Sequence, residues 1–120
     1  MASLNKVICI GNLTKDPELK FIPSGAAVCN FRIACNRKFT TNGEKKEEVV
    51  FVPIVTWQKT AENCGEYLKK GSSVCVEGRL QSREWETAEG QKRSVLEVCA
   101  ESVQFLDKKA TPGSEPDIPF

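Results

Sequence analysis

Apolar and polar residues alternate with period two over much of this 120-residue chain, the mark of half-buried strands. The clearest stretch covers residues 26–39. Cys29, Phe31, Ile33 and Cys35 fall on one face there, and Asn30, Arg32 and Asn36 on the other. Residues 6–11 (Lys-Val-Ile-Cys-Ile-Gly) form an earlier β-rich run. Asp16-Pro17 and Pro23-Ser24-Gly25 are turn signals, with Leu19 and Phe21 between them as a short extended piece. Residues 40–46, which contain Asn42-Gly43, read as a polar loop. Residues 48–58 form a second long strand, dense in valine, in which Pro53 predicts an edge position or a bulge.

The helical signal lies in residues 59–70. Ala61, Cys64, Tyr67 and Leu68 share one face, Gly65 keeps the helix short, and Lys69-Lys70-Gly71 stops it. Residues 73–85 are a strand, Ala88-Glu89-Gly90-Gln91 a turn, and residues 92–106 the returning strand. Parity points Val74, Val76, Gly78 and Leu80 into the core. Three strands, one helix and a hairpin fit an all-β fold with a small α component. The expected form is a five-stranded Greek-key OB-fold barrel, its one short helix between the third and fourth strands. A split sandwich is the structural rival.

The barrel is expected to occupy residues 1–107, and residues 108–120 a flexible tail. Pro112, Pro116 and Pro119 forbid a regular helix in that tail. It nevertheless ends on Asp117, Ile118, Pro119 and Phe120, an apolar tip that also carries the terminal carboxylate. Such a tip suits capture by another protein; the alternative is an end that folds back on its own domain. The charge divides accordingly. Residues 1–109 hold 17 basic and 14 acidic groups, and residues 110–120 hold none and two.

A net charge of +1 excludes a histone-like polycation, so a nucleic-acid site must be a local patch. No apolar run approaches a membrane span, and residues 1–6 lack the apolar segment of a signal peptide. A cytoplasmic location follows as an expectation. The six cysteines form no Cys-x-x-Cys pair, and the chain has no histidine. They read as reduced, small core residues, with no metal and no cofactor. The lack of histidine also removes the Ser-His, Cys-His and His-metal constellations, so an enzyme is not expected. Glu44, Glu47, Glu48, Glu84, Glu86 and Glu89 read as solvated charge.

The candidate chemistry is aromatic residues set among basic ones. Strand parity puts Arg79, Gln81, Arg83 and Trp85 on one face, with no core for the indole to fill. Phe39 follows Arg37-Lys38, Trp57 lies near Lys59, and Phe51 shares the parity of Trp57. Single-stranded nucleic acid needs this combination, because cations track phosphates while rings stack on splayed bases. The competing reading buries Trp57 and Phe51, whose strand is apolar on both faces. Phe21, Phe31 and Phe105 are assigned to the core or a subunit contact.

Several segments, in this order and spacing, resemble the bacterial single-stranded DNA-binding protein family. They are Asn5-Lys6-Val7, Ile10-Gly11-Asn12-Leu13, Asp16-Pro17-Glu18-Leu19, Pro23-Ser24-Gly25, Trp57-Gln58-Lys59-Thr60-Ala61-Glu62, Tyr67-Leu68-Lys69-Lys70-Gly71-Ser72, Glu77-Gly78-Arg79-Leu80 and Asp117-Ile118-Pro119-Phe120. The resemblance implies an OB-fold homotetramer, nucleoid-associated, that wraps single-stranded DNA without sequence preference in replication, recombination and repair. It implies stacking rings at Phe39, Phe51, Trp57 and Trp85. It supports phosphate contacts from Lys6, Arg32, Lys38, Lys59, Lys70, Arg79 and Arg83. It makes the tip a dock for replication, recombination and repair proteins. The chain departs from the family pattern in its short linker, in the few acids of its tip (Glu115 and Asp117), and in its cysteine content. A shorter linker narrows the volume a tethered partner can search. An RNA-binding role, or a protein-interaction module on the same fold, is the alternative.

Overall fold

The structure, a computed structural model, describes residues 2–106. The proposed tail, with its tip at Asp117, Ile118, Pro119 and Phe120, lies outside the described residues. The elements run β1 (Val7–Leu13), β2 (Glu18–Phe21), β3 (Ala27–Thr41), β4 (Glu44–Trp57), α1 (Gln58–Tyr67), β5 (Ser73–Glu86) and β6 (Lys92–Phe105). The sheet order is β1-β5-β6-β4-β3-β2, and β1 also pairs with β3. That last pairing closes β1, β3, β4, β5 and β6 into the expected five-stranded barrel. β2 is the short extended piece, paired with the start of β3 outside the closed circuit. The helix therefore still falls between the third and fourth barrel strands.

The alternation in β3 places Cys29, Phe31 and Ile33 in the core, where they meet Leu13, Ile54, Val74, Val76, Val98 and Ala100. α1 closes one end of the barrel with Ala61 and Cys64, and Leu68 follows them inward. Fully burying one such aliphatic side chain contributes about 1.5–3 kcal/mol. Tyr67 departs from the expected helical face: the helix ends there, and its exposed ring lies 6.2 Å from Phe105 between centroids. Gly65 does more than shorten the helix. A Cβ there would sit 2.9 Å from the Leu19 side chain, so glycine lets β2 lie against α1. Beyond the helix, the Lys70 N–H donates to Asp16 Oδ1 at 2.8 Å, which ties the Asp16-Pro17 turn to the helix end.

The polar loop expected at residues 40–46 is only a two-residue turn. Asn42 (φ 52°) and Gly43 (φ 79°) take the left-handed conformation that a tight hairpin requires. β3 and β4 consequently pair without a break from Val28↔Trp57 to Thr41↔Glu44 and project beyond the barrel as an arm. Pro53 stands one residue before β4's brief parallel contact with β6, at Ile54↔Val98 and Val55↔Cys99. Among the described residues Pro53 thus has no strand partner on its other edge, as an edge proline requires.

β5 and β6 shift register between Glu77 and Gly78, so Glu101 is the extra residue on β6. Gly78 is required at this bulge because its backbone lies against that of Cys99 and Ala100. Leu80 has core parity, opposite Val98, but is 44% exposed, since it lies past the end of β1's pairing with β5 at Val7↔Gly78. Phe21 and Phe105 are also exposed, which removes the core half of their assignment and leaves the subunit contact. Phe31 is buried as expected.

Cys29, Cys64 and Cys99 are buried and Cys9, Cys35 and Cys75 half-buried, all six as free thiols. Burial pushes the thiols of Cys29 and Cys35 up to about 11 and that of Cys64 up to about 12. All three are protonated at neutral pH and behave as small hydrophobes. Among the described residues, no cluster of Cys, Asp and Glu is placed to hold a metal ion.

Candidate nucleic-acid interface

The pairing register sorts the candidate residues onto faces. On the β3–β4 arm, Arg32 pairs with Pro53, Ala34 with Phe51, Val28 with Trp57, and Lys38 with Glu47. Trp57, Phe51, Arg32 and Lys38 therefore share the face turned away from the core. Phe51 is 59% exposed and Trp57 40%, which removes the buried reading of both rings. At the root of this face, Val28 and Val55 pack with Cys99 of β6 in a small second apolar cluster. That cluster joins the arm to the β5–β6 hairpin.

An open groove of about 760 Å³ runs over this junction. Val28, Phe31, Ile54 and Val55 form its apolar lining, and Trp57 stands in its wall. Arg32 and Arg83 reach it from β3 and β5. Lys15 and Lys20 reach it from the β1–β2 loop and β2. These two lysines were not among the sequence candidates. β2 is short and fully exposed, so its pattern carried no sign of the face it completes. Asp16, Glu18 and Glu97 also line the groove, so its four cations are only partly uncompensated. Lys20 is itself 3.3 Å from Glu18.

Two smaller concavities extend the surface onto the hairpin tips. Phe39 lies with Lys38, Lys45 and Lys46 at the tip of the β3–β4 arm. Its register puts it on the opposite face from Phe51, and the Arg37 guanidinium covers it at 4.5 Å. Trp85, 43% exposed, lies with Lys92 and Arg93 at the tip of the β5–β6 hairpin. The Arg83 guanidinium sits 5.0 Å from its ring centroid. Lys45, Lys46, Lys92 and Arg93 thus join the basic set, while Arg37 is paired with Glu48 at 3.4 Å. The signal for them was cross-strand pairing, as in Phe39↔Lys46 and Trp85↔Arg93.

Four basic candidates are brought neither to the groove nor to the two tip concavities. Lys6 is held by Glu77 at 2.6 Å, a bond that raises its ammonium pKa. Arg79 is 3.6 Å from Glu101. Lys59 is exposed at the start of α1 and Lys70 beyond its end, and neither lines the groove. The bonds of Lys6 and Arg79 lie on the outer face of β1 and β5, beside exposed Ile8 and Ile10.

The class that these features define is the OB-fold barrel with exposed rings set between cations on its open face. Comparison with known proteins places the chain within that class. The model of the Single-strand binding protein family matches residues 4–106, and the chain belongs to that family. It is 52% identical over 111 residues to Single-stranded DNA-binding protein A of Bacillus subtilis, covering 92% of this chain and 64% of that protein. It thus spans just under two thirds of that relative's length. It is 44% identical over 122 residues to Single-stranded DNA-binding protein 2 of Chlorobaculum tepidum, covering all of this chain and 82% of that protein. Among solved structures it resembles the Plasmodium falciparum SSB complex with ssDNA. The TM-score is 0.81 at 31% identity, over 89% of this chain and 98% of that one.

Proposed function

We propose that this chain binds single-stranded DNA without sequence preference, as a non-enzymatic coat that serves replication, recombination and repair. The observation that carries the reading is one exposed face of the β3–β4 arm. Phe51 and Trp57 stand on it with Arg32 and Lys38, and it runs into the groove reached by Arg83. Rings on that face stack on bases of any identity while the cations hold phosphates. Trp85 and Phe39 extend the path onto the two hairpin tips. Phosphate contacts fall first to Arg32, Lys38 and Arg83, with Lys15, Lys20, Lys45 and Lys46 beside them. Lys6 and Arg79, paired with carboxylates on the outer face of β1 and β5 away from the groove, contribute less, as do the outlying Lys59 and Lys70.

Binding to poly-dT is expected to weaken with salt, with a log–log slope near −0.7 per phosphate contacted. Anisotropy titrations of labelled oligo-dT over a salt series measure it. A salt-independent affinity contradicts the electrostatic half of the reading, and preferential competition by poly-U moves it to RNA.

Exposed Ile8 and Ile10, and the edge of β1 that has no partner among the described residues before its contact with β3 at Asn12, support self-association, proposed as a homotetramer. Among the described residues no helix is long and apolar enough to cross a membrane, and the proposed location is the cytoplasm, with the nucleoid. The tip at Asp117, Ile118, Pro119 and Phe120 is proposed to dock partner proteins. Deleting Pro119 and Phe120 is expected to leave poly-dT affinity unchanged and to abolish partner pull-down; a collapse of DNA binding instead would make the tip part of the fold.

A further inference from the structure

Glu97 is a carboxylate where a polyanion site has least use for one. It lines the groove on β6 and is 5% exposed. Burying a carboxylate is costly unless its oxygens are bonded, and here both are. Gln81 Nε2 donates to Oε2 at 2.9 Å, and Arg83 Nε donates to Oε1 at 3.3 Å. The register explains the meeting. Gln81 pairs with Glu97, Arg83 with Val95 and Trp85 with Arg93, so Gln81, Glu97, Arg83 and Trp85 share one face of the hairpin. Arg83 in turn places its guanidinium 5.0 Å from the Trp85 centroid.

We propose that Glu97 is a positioning residue for Trp85. By holding Arg83 through Nε, it fixes the guanidinium plane over one face of the indole and leaves the other face for a base. The bond uses Nε, so the Nη groups of Arg83 stay available to a phosphate next to the stacked base. One carboxylate thereby sets both a ring and a cation at the far end of the binding path. The inference rests on the DNA-binding reading, but its first measurement needs no DNA.

The test uses the full chain carrying Trp57→Phe, so that Trp85 is the sole tryptophan. Acrylamide quenching of the free protein reads the cover over the ring, and oligo-dT titration reads the stack. Glu97→Ala is expected to raise acrylamide quenching and to weaken oligo-dT binding roughly five- to thirtyfold, a large part of one base stack. Glu97→Gln keeps an acceptor for Arg83 and is expected to stay within about threefold of the parent in affinity. Unchanged acrylamide quenching in Glu97→Ala overturns the proposal. So does tighter oligo-dT binding, the outcome if Glu97 merely repels phosphate. If the melting curve shows that Glu97→Ala does not fold, Arg83→Lys takes its place at an exposed position. It keeps the charge and loses the plane, and the same rise and the same loss are expected. Parent-like acrylamide quenching there overturns the proposal equally. A parent that binds no oligo-dT overturns the DNA reading and the stacking role together, whereas acrylamide still decides whether Glu97 places the ring.

Discussion

Replacing Phe51 and Trp57 together by alanine is expected to weaken poly-dT binding by about 2–6 kcal/mol, at about 1–3 kcal/mol for each stack lost. Even the lower bound is about a thirtyfold loss of affinity. The fold is expected to survive, because both rings stand outside the core on the exposed face of the β3–β4 arm. Trp57 is the N-cap residue of α1, but its side chain makes no capping bond, so alanine leaves the helix start as it is. Anisotropy on labelled oligo-dT measures the loss, and a thermal melt checks the fold. Parent-like affinity in a folded double variant would remove this face from the binding path.

The second large effect is on stability. Gly78→Ala would put a Cβ into the Cys99 carbonyl, with the Cys99 carbonyl carbon and Ala100 Cα each 2.9 Å away. All three are backbone atoms of the paired strand, so no side chain can swing aside. Overpacking costs about 1–3 kcal/mol, and a rigid ladder at the bulge puts this site toward the upper end. For a domain of this size, each 1 kcal/mol shifts the melting midpoint by about 4–8 °C, so a fall of more than about 10 °C is expected by circular dichroism. Gly25→Ala is the comparison. Its Cβ meets nothing within 4 Å, and only its φ of +92° is strained, at a cost of about 1–2 kcal/mol. Equal melting points for the two variants would mean that β5 and β6 separate freely at Gly78.

What could be seen in the chain beforehand was local. The alternation from Cys29 to Ile33, the Ala61 and Cys64 spacing and the Val74–Val76 pleat each depend on neighbours in sequence, and each falls where the pattern puts it. Trp85 was legible for the same reason, since parity alone placed it away from the core. Leu80 is misplaced because β1 stops pairing with β5 at Val7↔Gly78 and no longer covers it, and Phe21, on a strand outside the closed circuit, keeps only its subunit-contact reading. The Asn42-Gly43 signal was visible, but its consequence was not: a two-residue turn makes residues 40–46 part of a paired arm. The groove was the least legible part. Lys15, Lys20 and Glu97 come to it from β1–β2 and β6, and only the barrel's long-range pairing brings them beside Arg32, Trp57 and Arg83. Lys6 and Arg79 looked like free cations because their partners, Glu77 and Glu101, are set by pairing across strands.

The central claim is that Trp57 and Trp85 lie on a path for single-stranded DNA, and they are the chain's only tryptophans. Titration of intrinsic tryptophan emission with oligo-dT tests it most directly, run in parallel on the parent, Trp57→Phe and Trp85→Phe. Saturable quenching is predicted in all three, with each single-tryptophan variant keeping part of the parent signal. Emission that stays constant through saturating oligo-dT would contradict the account.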